Sequence, residues 1–315
     1  MDLSIIIPLY NEADSLPELK AWIDRSLQGF TYELIFVDDG STDGSWEAIR
    51  QMSGQVHGIR FRRNYGKSAA LYEGFSAARG DIVVTMDADL QDSPEEIPEM
   101  VRMIREEGYD LVSGWKQHRQ DNALTKNLPS KLYNWTARKV TGIKLHDMNC
   151  GLKAYKADVV KNIEVYGEMH RYIPYLAQNA GFGKIGEKPV HHQKRKYGVS
   201  KFGMDRFVHG FLDLMSLWFL SRFGSKPMHF FGTSGTLMFL IGFVMTVWII
   251  VAKLVHQAQG LKYRAVTEQP LFYLALLAVV LGVMLFLAGF LGELVSRNAP
   301  ERNRYQIKEH FSTNP

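Results

Sequence analysis

Residues 83–91 read VVTMDADLQ, an apolar run that ends in two aspartates one residue apart, Asp87 and Asp89. The β-branched run is typical of a buried strand, and two like charges at its end repel each other unless a cation lies between them. Mg²⁺ and Mn²⁺ take oxygen ligands, commonly one or two carboxylates together with substrate phosphates. The stretch therefore predicts either a metal site, to which Gln91 adds an amide oxygen, or a solvated acidic turn.

The sequence around this stretch alternates strand-like and helix-like segments. LSIIIP at 3–8, ELIFVDD at 33–39 and DIVVTMDAD at 81–89 are short apolar runs, whereas KSAALYEGFSAAR at 67–79 has helical spacing. This alternation predicts βαβ units and an α/β fold with a Rossmann-like, mostly parallel sheet. Ligands of such sheets bind beyond the carboxyl ends of the strands, so we expect a site there.

Polar residues follow the other two strands as well. Tyr10, Asn11 and Glu12 follow the first strand, and Asp39 ends the second. Asp39 can accept hydrogen bonds from a base or a ribose; the alternative is that this turn serves to start the next helix. Lys67 stands at a helix start, where it either faces an anion or is a solvated surface residue.

Two charge-free segments, Phe230–Ala252 and Leu271–Gly292, lie near the end of the chain. At about 1.5 Å per residue, each is long enough to cross a hydrocarbon core of roughly 30 Å. Two such segments in series favour membrane spans over buried core helices. We divide the chain into a sheet domain at 1–200, amphipathic juxtamembrane helices at 201–228, a two-helix anchor at 229–297 and a polar tail at 298–315, of which we expect about 300–315 to be poorly ordered. The alternative for the amphipathic segment is that it packs onto the soluble domain.

The first residues lack the basic and apolar pattern of a signal peptide, so we expect residues 1–200 to stay on the cytoplasmic side of the inner membrane. The net charge of +4 is too small to indicate nucleic acid, and its clustering near the spans favours membrane lipids as partners. The single cysteine, Cys150, excludes an intrachain disulfide and fits a reducing compartment.

Six motifs occur along the chain in a characteristic order. They are IIIPLYNE (5–12), IFVDDGSTD (35–43), RRNYGKSAAL (62–71), MDADLQDSPE (86–95), MNCGLKAY (148–155) and QKRKYGVSK (193–201). In this order they resemble family-2 glycosyltransferases of the GT-A fold. More narrowly, they resemble the polyprenyl-phosphate glycosyltransferases, relatives of dolichyl-phosphate mannose synthase and of bactoprenol glucosyltransferases. The match covers about two-thirds of the chain.

The resemblance implies a role for each group of site residues. The metal would be held by Asp87, Asp89 and Gln91. Catalysis would rest on Asp89, Asp147 and Arg195. Asp147 would act as a base or would orient the acceptor or balance charge, and the alternative is a structural carboxylate. The acceptor phosphate would be bound by Arg119 and Lys131, although Lys116 stands where arginine is frequent in the family. The nucleotide sugar would be bound by Pro8, Tyr10, Asn11, Glu12, Asp39, Lys67, Asp87, Ala88, Ser200 and Lys201.

The implied activity is metal-dependent, inverting transfer of one sugar from a UDP-sugar, favoured over a GDP-sugar, to undecaprenyl or dolichyl phosphate. Mg²⁺ or Mn²⁺ is the implied cofactor, and a homotetramer is the implied assembly. The Q-x-x-R-W and T-E-D motifs of polymer-forming relatives do not occur, which favours a single transfer. The alternatives are a non-catalytic membrane subunit of a lipid-glycan or flippase complex, and a glycosyltransferase with a non-lipid acceptor.

Overall fold

The computed structural model describes residues 1–117, 138, 142–193, 196, 227–261, 264–297 and 307–312. The chain divides into two compact units. The first comprises Met1–Leu214 together with Arg302–Pro315, and the second comprises Met215–Glu301.

The first unit is built on one mixed sheet whose strand order is β7-β5-β6-β4-β1-β2-β3-β8. Strand β1 pairs in parallel with β2 and β4, β2 with β3, and β5 with β7; the other ladders are antiparallel. The predicted α/β architecture with a mostly parallel sheet is confirmed. The strands are β1 Leu3–Leu9, β2 Tyr32–Asp38, β3 Val56–Phe61, β4 Ile82–Thr85, β5 Leu111–Trp115, β6 Lys153–Lys156, β7 Ile185–Pro189 and β8 Ile307–Ser312.

Helices connect the strands of the first unit and cover both faces of the sheet. Short 3₁₀ turns at Pro94–Glu96 and Met169–Tyr172 precede two of them. The helices are α1 Leu16–Ser26, α2 Ser45–Arg50, α3 Lys67–Ala77, α4 Ile97–Glu106, α5 Ala157–Asn162 and α6 Ile173–Asn179.

The core lies on both faces of the sheet, which explains why central strands such as β1 contain unbroken apolar runs. In β1, Ile5 and Ile7 belong to the cluster on one face, whereas Ile6 belongs to the cluster on the other. All three side chains are fully buried. A parallel strand covered on both faces cannot alternate apolar and polar residues, so its sequence is an unbroken apolar run.

Strand β8 corrects one expectation. We expected the last residues, about 300–315, to be poorly ordered, but Ile307–Ser312 pair antiparallel with β3. The expectation is wrong for these six residues because a free strand edge offers a row of unpaired backbone groups, which a short polar strand can satisfy. Since β8 belongs to the first unit, the chain returns to the sheet unit after the second unit.

The second unit is a hairpin of two long helices, α7 at Pro227–Ala258 and α8 at Pro270–Arg297. Both helices are long and apolar enough to cross a membrane, because their most apolar 18-residue windows, within Met228–Ala258 and Pro270–Gly292, have mean hydropathies of 2.4 and 2.8. Their contact is built from small residues. A Cβ atom on Gly235 would lie 2.6 Å from the carbonyl oxygen of Gly282, and one on Gly282 would lie 2.6 Å from the backbone nitrogen of Phe239.

We predict that Gly282→Leu destabilises this hairpin by about 1–3 kcal/mol or more, because the side chain has no space between the two backbones. Ala288→Leu is the matched control, since Ala288 lies exposed on the same helix. Thermal unfolding of the full chain in detergent measures the difference. Equal melting temperatures for the two variants would contradict the close helix contact.

Candidate active site

The predicted site residues on β1, β2 and β4 meet at one edge of the sheet. The parallel register pairs Leu9 of β1 with Asp38 of β2, and Ile6 of β1 with Thr85 of β4. The N–H of Asp39 also donates to the carbonyl oxygen of Leu9, at 2.9 Å. The segments that follow these three strands therefore leave the sheet side by side at its carboxyl edge.

The segment after β1 is tied to the loop after β2. Asn11 has a φ of 54°, in the left-handed region that asparagine tolerates better than most residues. Its N–H donates to Oγ of Ser41 and its Oδ1 accepts from the N–H of Thr42, both at 2.9 Å. The N–H of Glu12 donates to Oγ of Ser45 at 3.0 Å. Both predicted nucleotide-binding residues are thus fixed by hydrogen bonds to the segment that follows β2.

Asp39 holds the loop that starts helix α3. Its two carboxylate oxygens accept the N–H groups of Tyr65 at 2.7 Å and of Gly66 at 2.9 Å. Burial, opposed by these two hydrogen bonds, raises the pKa of Asp39 to about 6. The neighbouring Gly40 has a φ of 76°, and a Cβ there would lie 2.5 Å from the carbonyl carbon of Arg63. Asp39 therefore has a structural role at the site, beside any contact with a nucleoside.

Asp87 is paired with Lys67, whose ammonium group contacts Oδ1 of the carboxylate. Burial disfavours the charged form of Asp87. The nearby cations, above all Lys67 and then Lys116, nevertheless lower the pKa of Asp87 to about 2. Lys67 is the first residue of α3, so the helix start and the end of β4 meet at this ion pair. Lys67 was expected either to face an anion or to be a solvated surface residue. Its contact with Asp87 supports a position that faces the site.

The turn after Asp87 is irregular and is joined to the segment before Arg195. Leu90 has a φ of 61°, and the N–H of Gln91 donates to Oδ1 of Asp89 at 3.2 Å. The N–H of Gln193 donates to the carbonyl oxygen of Gln91 at 2.9 Å, and Nε2 of Gln91 donates to the carbonyl oxygen of Gln193 at 3.4 Å. The basic segment thus begins beside the acidic turn.

The chemistry of this turn fits a divalent cation that shares its ligands with a substrate. Asp87 and Asp89 supply hard oxygen donors, and Asp87 already carries a cation, Lys67, on one oxygen. Among the described residues, no group of three or more His, Cys, Asp or Glu side chains could hold a metal ion. A metal at the turn would therefore complete its coordination with other oxygens, such as those of phosphates.

The segment 148–155 adds two residues that the sequence did not single out. Gly151 lies directly against Asp87, because a Cβ on Gly151 would be 2.5 Å from Oδ2 of Asp87. Lys153 is 3% exposed, and its ammonium group donates to the carbonyl oxygen of Cys150. Burial lowers the pKa of Lys153. The antiparallel pairing of Thr85 with Lys153 brings this segment to the site.

Lys116 is held by a buried partner. Its Nζ lies 2.7 Å from Oδ1 of Asp92, which is fully buried. Burial disfavours the charged form of Lys116. The nearby anionic groups, above all Asp92, nevertheless raise the pKa of Lys116 above its usual value. The Lys116 cation is thus paired with the residue that follows Gln91.

Asp147 is buried, with 2% of its surface exposed. Its Oδ1 accepts the N–H of Asn149 at 3.1 Å. His146 stacks on Trp115, with 4.3 Å between the ring centroids. Pro8 lies within β1, and Ala88 is buried between the two aspartates of the turn. The predicted residues Arg119, Lys131, Arg195, Ser200 and Lys201 lie outside the described residues.

This sheet, with an acidic turn and a lysine at its carboxyl edge, is the arrangement expected of a glycosyltransferase of the GT-A fold. The chain belongs to glycosyl transferase family 2, whose family model matches residues 4–164. Both the predicted family and the predicted enzyme class are confirmed.

Two curated relatives match almost the whole chain. Dodecaprenyl-phosphate galacturonate synthase of Rhizobium johnstonii is 33% identical over 304 residues, which cover 94% of this chain and 88% of the relative. Undecaprenyl-phosphate 4-deoxy-4-formamido-L-arabinose transferase of Shewanella sediminis is 36% identical over 320 residues, which cover 98% and 92%. The names of both relatives specify a polyprenyl phosphate, in agreement with the predicted subfamily.

Solved structures of glucosyl-3-phosphoglycerate synthase from Mycobacterium tuberculosis share the fold. The complex with UDP has a TM-score of 0.54 at 21% identity and covers 70% of this chain and 79% of that one. A second complex, with Mn²⁺, UDP-glucose and phosphoglyceric acid, has a TM-score of 0.53 at 21% identity, with the same coverage. At this identity the likeness supports the fold alone.

We predict that Gly151→Ala displaces the carboxylate of Asp87, because the added methyl group has no space beside it. Mn²⁺ should then bind at least about tenfold more weakly, which corresponds to about 1.4 kcal/mol. Gly183→Ala is the control, since a Cβ at Gly183 meets no atom within 4 Å. Titration of nucleotide-bound protein with Mn²⁺ measures both affinities, and equal values would contradict the contact.

The raised pKa of Asp39 predicts a pH dependence of stability. Because the folded-state value of about 6 exceeds the ordinary value of 3.8, folding takes up a proton between these values. The contribution of Asp39 to stability is therefore full below pH 3.8 and is lost as the pH rises through about 6. Melting temperatures of wild type and Asp39→Asn between pH 4.5 and 7.5 should diverge across this range and differ by a constant above it. Parallel curves throughout would contradict the buried carboxyl.

Proposed function

We propose that the protein transfers one sugar from a nucleoside-diphosphate sugar, with UDP favoured over GDP, to a polyprenyl phosphate at the cytoplasmic face of the inner membrane. The observation that carries the proposal is the contact of Lys67 with Asp87 at the carboxyl edge of the sheet, beside the start of helix α3. A diphosphate and a divalent cation are the ligands that this pairing of opposite charges suits.

Lys67 and Asp87 define the side of the site that would bind the sugar donor. The start of α3 and the ammonium group of Lys67 attract the diphosphate. Asp87 and Asp89 would hold Mg²⁺ or Mn²⁺, which supplies Lewis-acid stabilisation of the leaving diphosphate when bound. The loop fixed by Asp39, and the segment fixed at Asn11, would bind the nucleoside. Uridine is supported by the family resemblance.

The acceptor side follows from the names of the relatives and from the candidate spans. Both curated relatives are named for a polyprenyl phosphate, and α7 and α8 are long enough to hold the chain in the membrane that contains such lipids. A phosphate monoester is anionic near neutral pH, so its attacking oxygen needs little help from a base. Asp147 would therefore orient the acceptor or balance charge, and the family implies inversion at the anomeric carbon.

Arg195, Ser200 and Lys201 are proposed to close over the diphosphate, and Arg119 and Lys131 to bind the acceptor phosphate. The link between Gln91 and Gln193 supports the first assignment, because it ties the start of that segment to the acidic turn. The domain limits at residues 200, 228 and 297 and the homotetramer stay predictions.

The test is turnover by the full chain in detergent, with undecaprenyl phosphate, Mn²⁺ and a panel of UDP- and GDP-sugars. We expect a labelled sugar to enter the organic phase with one UDP-sugar and Asp89→Asn to lose at least about 100-fold in kcat, the order of effect of a lost charge-stabilising group. Lys20→Met is the control, since Lys20 pairs with Asp24, a residue of its own helix α1.

Three outcomes would contradict the proposal. Absence of nucleotide release with every sugar would favour the non-catalytic subunit. A labelled product that stays in the aqueous phase would favour a non-lipid acceptor. Full turnover of Asp89→Asn would exclude the proposed metal site.

A further inference from the structure

The loop that carries Asp147 is held by the side-chain carboxylate of Glu187, a residue of strand β7. Oε1 of Glu187 accepts the backbone N–H groups of His146 at 2.8 Å and of Asp147 at 3.0 Å. Oε2 of Glu187 lies 2.7 Å from Nδ1 of His146. Three contacts thus converge on a side chain that none of the sequence motifs includes.

The residues that hold this loop lie on two neighbouring strands, β5 and β7. Strands β5 and β7 are parallel, and Ser113 pairs with Glu187 in their register. Trp115, the last residue of β5, stacks on the His146 ring at an interplanar angle of 18°. The His146 ring is therefore held by Trp115 and Glu187 together. Groups positioned by strands are held more rigidly than groups positioned by loops alone.

Burial makes the contact at the N–H of Asp147 hard to replace, whereas His146 is exposed. Asp147 is 2% exposed, and the side chain of Glu187 is 12% exposed. A backbone N–H at a buried residue cannot turn to water when its acceptor is removed, so the loop must shift to satisfy it. Loss of the Glu187 carboxylate would therefore move Asp147.

We propose that Glu187 is a positioning residue of the transfer reaction, which fixes Asp147 at the acceptor side through the backbone of the His146–Asp147 segment. The inference rests on the proposed function, in which Asp147 orients the acceptor phosphate. Glu187 touches no substrate; its effect comes through Asp147. Displacement of a reacting group by about 1 Å can cost about 100-fold in rate, so such support matters for turnover.

The experiment compares substitutions of Glu187 in the full chain, with the lipid extraction assay. Glu187→Leu should lower kcat about 10- to 100-fold and leave the KM for the nucleotide sugar within about twofold. Glu187→Gln should restore kcat to within about threefold, since its amide oxygen still accepts both N–H groups. Glu106→Leu, an exposed glutamate of α4, should leave both constants unchanged.

A double-mutant comparison separates positioning from general stability. In an Asp147→Asn background, Glu187→Leu should lower kcat by less than about threefold, because the carboxylate that Glu187 positions is already gone. The same loss in both backgrounds, or full activity of Glu187→Leu, would overturn the inference. If Glu187→Leu does not fold, as judged by its melting temperature, Glu187→Ala and Glu187→Gln are compared in the same way. Failure of the wild type to form a lipid-linked product would instead contradict the proposed function.

Discussion

The contact between Lys67 and Asp87 is the interaction on which the rest of the site depends. It joins the start of α3 to the end of β4, and it keeps the pKa of a partly buried carboxylate at about 2. An anionic carboxylate and a cationic side chain in contact can each exchange their partner for a ligand of the same charge. A metal ion can thus take the carboxylate while a diphosphate takes the lysine.

Much of the sheet, and the edge where the site lies, could be predicted from the sequence. Unbroken apolar runs such as that around Ile5–Ile7 indicate strands covered on both faces, and parallel strands place their carboxyl ends together. The polar residues that follow these runs were predicted to converge, and Asn11, Asp39 and Asp87 lie at that edge. The long charge-free segments likewise correspond to α7 and α8.

What the sequence did not reveal depends on contacts between distant segments. Gly151 lies against Asp87, and Glu187 holds the backbone at Asp147, yet neither residue has a local pattern that marks its partner. Strand β8 was missed for a similar reason, since its pairing depends on the free edge of β3 and not on its own polar sequence. In retrospect, a glycine inside the motif MNCGLKAY was a signal of close approach to another atom.

The central claim is that Asp87 and Asp89 bind a divalent cation together with the diphosphate of a nucleotide sugar. Electron–nuclear double resonance of the full chain with Mn²⁺ and UDP tests it most directly, because this method detects the phosphorus nuclei of phosphates whose oxygens coordinate the metal. The account predicts a ³¹P coupling typical of direct phosphate coordination that disappears in Asp89→Asn and persists in Lys20→Met. A ³¹P coupling that is unchanged in Asp89→Asn, or its absence from the wild type, would contradict the account.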